Sequence, residues 1–287
     1  MRRMSPGAAA LVVAIGLFFC ASVAAAGSPY FDQIKDKGQL VIGLNASYPP
    51  FTVWAKDGPV GFDVELARNL ASVLGLDPEK GLKFVPVKPD EAAGKLTSGE
   101  VDIVIAGLIA SPERLKQVAF SMPYVTISRA ALLQRAKIPR VIIGEVLRPM
   151  PVSSYNDLFE LEPLRIGAKE NTTTIRTAKE NFKRSKVVGY PDTGALSTAF
   201  LQGRIDVIVH EDPFIRHFNA VHKAERRRFV ALTDPVTREG LCIAYRYGDP
   251  DFARFLDGYI RRLIENKTID KWKTKYFDNA AWMEVEK

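Results

Sequence analysis

Between residues 63 and 74, Leu66, Ala67, Leu70, Ala71 and Leu74 recur in steps of three and four, the spacing that lines apolar side chains along one helical face. Asp63 fits the N-cap of such a helix and Gly75 its stop. Phe252, Phe255, Leu256, Tyr259, Ile260 and Leu263 predict a longer amphipathic helix near the C-terminus, and Ile269 and Trp272 a shorter one. Ser111-Pro112 sets a capping hydroxyl before a proline at the first helical position, which predicts another start. Thr172 and Thr173 mark a further one. Other runs lack this period. Ile103-Val104-Ile105 and Val207-Ile208-Val209 are β-branched without alternation, as in parallel strands covered on both faces. Strands alternating with helices predict an α/β fold with largely parallel sheets.

The pattern occurs twice. Leu96-Thr97-Ser98-Gly99-Glu100-Val101-Asp102-Ile103-Val104-Ile105 is echoed 104 positions on by Phe200-Leu201-Gln202-Gly203-Arg204-Ile205-Asp206-Val207-Ile208-Val209. Each Gly suits the left-handed residue after a helix. Leu40-Val41-Ile42-Gly43 and Leu164-Arg165-Ile166-Gly167, 124 positions apart, repeat in the same order. Each reads as a strand that ends at Gly and feeds a polar loop. The two echoes predict two lobes of similar build. Ligands of such sheets lie beyond the carboxyl ends of the strands. The loops after Gly43, Ile105, Gly167 and Val209 are therefore the candidate site.

Composition narrows the classes. The 287 residues are 47% hydrophobic and 25% charged, an ordinary globular balance that excludes a disordered chain and allows one large or two small domains. Two cysteines exclude a disulfide scaffold or a thiolate cluster, and three histidines argue against a His-built metal site. Arg2 and Arg3, the apolar stretch Ala8 to Phe19 and the end Ala24-Ala25-Ala26 are the parts of a secretory signal peptide, residues 1–26. The stretch is short for a spanning helix, which needs about 20 apolar residues. Phe19 is too large for a lipoprotein signal to use Cys20. Without Arg2 and Arg3 the formal charge of +7 falls to +5, which demands no nucleic-acid partner. The run Arg226-Arg227-Arg228 reads as a solvated face, and Cys242 as a buried small hydrophobe. Phosphate-loop, HExxH, GxSxG and GxGxxG signatures are missing.

Four loops carry candidate chemistry. In Asn45-Ala46-Ser47-Tyr48-Pro49-Pro50-Phe51 the prolines hold the chain extended, and Tyr48 is placed to face a ligand. Phe51 and nearby Trp54 are expected to pack into the lobe. In the segment from Ala106 to Arg114, Gly107 and other small residues let backbone N–H groups approach a ligand. Arg114, in the first turn of the predicted helix, opposes the helix dipole and calls for an anion. That anion is a ligand carboxylate held by the guanidinium fork, or a structural partner such as Glu113 or Asp63; spacing leaves both open. Glu170-Asn171-Thr172-Thr173 offers N–H groups and hydroxyls at a helix start, as anion donors or as simple caps. In His210-Glu211-Asp212, alternation sends Glu211 opposite to its neighbours, and one acid is suited to an ammonium. A metal site there lacks further ligands at a useful spacing.

Gly61-Phe62-Asp63-Val64-Glu65-Leu66-Ala67, Leu96 to Asp102, Ser111-Pro112-Glu113-Arg114 and Phe120-Ser121-Met122-Pro123-Tyr124 resemble the bacterial extracellular solute-binding proteins of family 3, periplasmic receptors of polar amino-acid ABC transporters. The resemblance implies a two-lobed type II periplasmic-binding-protein fold closing on its ligand. It implies crossing strands near Ala130–Leu133 and Leu241–Tyr245, with 27–131 and 242–287 forming one lobe and 132–241 the other. It assigns Arg114 to the ligand carboxylate, with Thr172 and Thr173 as further donors. Glu211 takes the α-ammonium and Tyr48 lines the side-chain pocket. Asn45 stands where some members carry an acid for a cationic side chain, so the resemblance gives a Lys, Arg or His ligand less support. Ile109 replaces a common Ser or Thr, and Glu170-Asn171 the usual Gln-Gly. The segment 137–151 is longer than usual. The implied function is a monomeric periplasmic receptor that hands an amino acid or related carboxylate to a membrane permease, with no cofactor, metal or catalysis. The alternatives are an exported cyclohexadienyl-type dehydratase using Glu170, His210 or Glu211, and a sensor subunit for a membrane partner.

Overall fold

The computed structural model describes residues 28–170 and 172–284, so the expected signal peptide lies outside the described residues. Two sheets carry the fold. In the first, Leu82–Val87, Leu40–Asn45 and Ile103–Ile109 run parallel; Glu239–Tyr245 is antiparallel to them and also pairs with Ala119–Phe120 and Val125–Ile127. In the second, Lys186–Tyr190, Arg165–Lys169 and Val207–Glu211 run parallel, followed by Arg129–Gln134 and Phe229–Leu232.

The sequence echo has a structural cause. Gly99 and Gly203 adopt left-handed φ of +76° and +69° after the helices Ala92–Thr97 and Thr193–Leu201. Three residues on, a carboxylate ties its strand to the neighbouring one. Asp102 accepts from the Val41 amide at 2.9 Å, and Asp206 from the Arg165 amide at 2.9 Å. Apolar clusters cover both faces of the second sheet, one around Phe200 and Phe214 and the other around Tyr155 and Phe182. This is why its strands read as unbroken apolar runs. The helices Pro250–Glu265 and Thr268–Phe277 pack into the core of the first lobe through Phe252, Leu256, Ile260 and Trp272.

Several local expectations are corrected. The helix Phe62–Val73 starts at Gly61, not at an Asp63 cap. Asp63 is fully buried and accepts from the Tyr124 hydroxyl at 2.9 Å. Gly61 itself approaches Phe51 so closely that a Cβ would lie 2.3 Å from its carbonyl oxygen. Ser111-Pro112 opens no α-helix. The chain forms a three-residue 3-10 turn, Arg114–Lys116, and then enters the strand Ala119–Phe120. The strands do not end at Gly43, Ile105, Gly167 or Val209, because partner strands continue beside them. Asn45 still pairs with Val87, Ile109 with Leu241, Lys169 with Tyr190 and Glu211 with Arg129. Trp54 remains 37% exposed, its Nε1 donating to the Asn45 carbonyl at 3.1 Å.

Ala130–Leu133 lies wholly in the second sheet and Leu241–Tyr245 wholly in the first; the chain crosses between sheets at Ser128 and within 233–238. Ser128 ties the crossings together. Its Oγ accepts from Val236 and Thr237 amides at 3.1 and 3.2 Å, and its own amide donates to Asp212 Oδ1 at 2.6 Å.

Candidate functional site

The carboxyl ends of the parallel strands of both sheets meet. Lys169, ending one strand of the second sheet, donates to the Ser47 carbonyl of the first lobe at 3.0 Å. Tyr48, in the same loop as Ser47, stacks on buried Phe51 with ring centroids 4.8 Å apart. Its ring covers Gly107, where a Cβ would lie 2.4 Å from Tyr48 Cε1 and where φ is +66°. Gly107 is thus required both by its backbone angle and by the aromatic ring above it. It lies within a strand, not in a loop as expected. Burial pushes the Tyr48 phenol well up, and the carboxylates of Glu211, Asp63, Asp212 and Glu239 add to the shift.

Arg114 is half-buried and holds the Ile109 carbonyl through a guanidinium N–H at 3.1 Å. It makes no ion pair among the described residues, so neither Glu113 nor Asp63 is its partner. Burial lowers its pKa, partly opposed by Asp90 and Glu113. A desolvated guanidinium without a paired acid is a receptor for an anion. The helix-dipole argument does not apply, since the short 3-10 turn holds no α-helical start. Ile109 contributes through its carbonyl, while its side chain packs on the first-lobe core. Asn45 spends its amide on the backbone, donating to Ala106 at 3.2 Å and accepting from Ser47 at 3.1 Å.

The second lobe departs further from expectation. Thr172 caps the helix Thr173–Asn181, accepting from Ile175 at 3.3 Å and donating to the Lys169 carbonyl at 2.7 Å. Thr173 is exposed. The residue that reaches the acid is Thr174, buried, with its hydroxyl donating to Glu211 Oε1 at 3.2 Å. The run of three threonines carried the clue, but which one turns inward depends on where the helix begins. Glu170 is exposed and borders a surface depression with Arg176 and Lys179.

Glu211 ends its strand and precedes the helix Asp212–Val221. Its second oxygen lies 2.5 Å from His210 Nδ1, which also accepts from the Glu211 amide at 2.9 Å. Strict alternation fails here because the backbone leaves the strand for the helix. Burial alone would raise the Glu211 carboxyl, but His210, its own backbone and Thr174 hold it at about 2. Asp212 turns to the crossing and is engaged by Ser128. Glu239, half-buried at the start of its strand, was not singled out from sequence; only its place at the crossing could have suggested it. Among the described residues no His, Cys, Asp and Glu cluster suits a metal, and no helix is long and apolar enough to cross a membrane.

Comparison with known proteins identifies the family. The arginine-binding extracellular protein ArtP of Bacillus subtilis is 38% identical over 273 residues, covering 93% of this chain and 96% of that protein. The L-cystine-binding protein TcyJ of Escherichia coli is 27% identical over 248 residues, covering 86% and 85%. An ancestral cationic amino acid solute-binding protein of known structure superposes with a TM-score of 0.71 at 28% identity, covering 86% of this chain and 99% of that one. A cyclohexadienyl dehydratase of Pseudomonas aeruginosa is 25% identical over 181 residues, covering 62% and 61%. The sequence profile of one family spans residues 40–279. The chain belongs to the bacterial extracellular solute-binding proteins, family 3.

Proposed function

We propose that the chain is an extracytoplasmic receptor that captures an amino acid between its lobes and delivers it to an ABC transporter permease. The observation that carries this reading is the opposition of charges across the cleft. Arg114 on the first lobe is desolvated without a paired acid, while Glu211 on the second is held anionic. A zwitterion satisfies both. Its carboxylate lies on the Arg114 fork, its ammonium on Glu211, and its side chain against Tyr48. Glu239 and the ligands named for ArtP and the ancestral protein support a basic side chain. The moving units are taken to meet at Ser128 and 233–238, with residues 1–26 removed on export and the mature chain acting as a monomer.

The dehydratase reading is less well supported. A carboxyl held at about 2 donates no proton near neutral pH, and the Glu170 side chain is exposed and lies beside Gly189. Calorimetric titration with arginine, lysine, cystine and neutral amino acids tests the receptor. Stoichiometric binding with recovery of unchanged ligand is expected; turnover, or binding of none of them, overturns the proposal.

A further inference from the structure

A feature of the second lobe is unused by the proposed ligand binding. Arg140–Ile143 and Val146–Pro149 form a separate two-stranded ribbon. Of the ten large apolar side chains exposed among the described residues, four lie on its six central positions: Ile142, Ile143, Val146 and Leu147. The other six are scattered, as single exposed hydrophobes normally are. Cross-strand partners share a face, so Ile142 and Leu147 stand together with Arg140 beside them. This is the outer face, with Ile142 74% exposed; the opposite face holds half-buried Val141.

The ribbon is entered from the far pole of the second lobe and left toward the crossing, where the Asp234 amide donates to the Ser153 carbonyl at 3.1 Å. Glu211 pairs with Arg129 and Val207 with Leu133, so the sheet end that leads through Gln134 to the ribbon is the end opposite the cleft. Arg135 donates to the Arg227 carbonyl at 3.2 Å, which brings the exposed 3-10 segment Lys223–Arg228 to the same pole. Segments 135–149 and 223–228 each carry four basic residues against one acid, a combined +6. The chain beyond residue 26 nets only +5, so everything outside these two segments sums to −1. The net formal charge of the chain beyond residue 26 is thus carried by these two segments, in which Lys137 is paired with Asp206 at 3.4 Å.

We propose that this pole docks the protein side-on to an anionic phospholipid bilayer. Ile142 and Leu147 enter the headgroup boundary, and the flanking arginines engage lipid phosphates. Weak apolar insertion combined with a basic patch is what makes such an attachment stable. Glu145, the single acid on the ribbon, favours the side-on approach, because entry tip-first would bury its carboxylate. A second copy is the poorer occupant, since it would set one +6 patch against another.

The test is flotation of the purified mature protein with vesicles of phosphatidylcholine alone and of phosphatidylcholine with phosphatidylglycerol. Partitioning at least about tenfold stronger onto the anionic vesicles is expected, and raised salt should abolish it. Two variants separate the parts, Ile142→Ser with Leu147→Ser, and Arg226→Gln with Arg227→Gln. All four side chains are exposed, so melting temperatures should match the wild type while each pair lowers partitioning at least about threefold. Equal partitioning onto both vesicle types overturns the proposal, as does wild-type partitioning by either variant. A dimer in light scattering that dissolves in Ile142→Ser with Leu147→Ser assigns the ribbon to a second copy instead. None of these measurements depends on the identity of the cleft ligand.

Discussion

Thr174 donates its hydroxyl to the Glu211 carboxylate 37 residues away, so the first turn of one helix holds the acid that precedes another. The contact orients the oxygen that the ligand ammonium is proposed to meet. A hydrogen bond to a charged group contributes about 1.5–3 kcal/mol. Thr174→Val keeps the shape and removes the donor. Arginine binding should weaken by at least about tenfold. Titration calorimetry reads the loss, and an unchanged circular-dichroism spectrum confirms the fold. Wild-type affinity in Thr174→Val would mean that His210 alone positions the acid.

The cradle between Tyr48 and Gly107 predicts a non-additive pair. In Gly107→Ala the new methyl meets the Tyr48 ring at a φ of +66°. Left-handed backbone at a non-glycine residue costs about 1–2 kcal/mol, and overpacking a further 1–3 kcal/mol. The melting temperature should drop and ligand affinity with it. Tyr48→Ala removes the obstructing ring, so the double variant should be more stable than the sum of the singles predicts. Strict additivity in a double-mutant cycle would separate the two residues.

The repeat was legible in sequence because both lobes solve one local problem with the same residues. A left-handed Gly releases the chain from a helix, and an Asp three positions later accepts the amide that starts the neighbouring strand. Asp102 with Val41 and Asp206 with Arg165 therefore link the two echoes. Strand ends were not legible. Gly43 and Gly167 look like terminators, yet the partner strand decides where pairing stops. For Arg114 the helix dipole was not a sound ground: the chain forms only a 3-10 turn there, and it is burial that leaves the guanidinium without an acid partner among the described residues. Thr174 and Glu239 were not singled out because contacts between elements distant in sequence bring them near Glu211 and Tyr48. Local spacing carries no trace of such contacts.

The buried pair Asp63 and Tyr124 makes stability depend on pH. Burial pushes the Asp63 carboxyl up to about 8, while the Tyr124 hydrogen bond partly opposes it. The folded state therefore keeps a proton that the unfolded chain, with an ordinary carboxyl near 4, releases. The unfolded state binds fewer protons between these values, so stability falls as pH rises from about 4 to 8. Glu211 has the opposite sign, and its contribution is lost only in more acidic solution, as pH falls toward about 2. The two windows do not overlap. Asp63→Asn can still accept from Tyr124 and cannot ionise. Its melting temperature should change less between pH 5 and 8, about the range in which the Asp63 window acts, than that of the wild type. Parallel curves for the two proteins would place the Asp63 carboxyl outside that window.

Arg114 separates a ligand clamp from a structural ion pair, because the two roles move stability and affinity in different directions. A structural pair lost on substitution leaves a buried acid behind, which destabilises the empty protein by about 3–5 kcal/mol. Arg114 has no such partner among the described residues; it holds only the Ile109 carbonyl and is itself desolvated. Arg114→Ala should therefore leave the melting temperature of the ligand-free protein level or slightly raised. Closure over a ligand carboxylate reverses the situation, since the buried anion then needs the guanidinium. Affinity for arginine should fall at least about a hundredfold, which corresponds to roughly 2.7 kcal/mol or more. Arg114→Lys should recover part of the loss, because an ammonium supplies the charge without the two-pronged geometry. Calorimetric titration and thermal unfolding of the three proteins decide the matter together. A lowered melting temperature with affinity within about threefold of wild type, well under 1 kcal/mol, assigns Arg114 to the scaffold and removes it from the cleft.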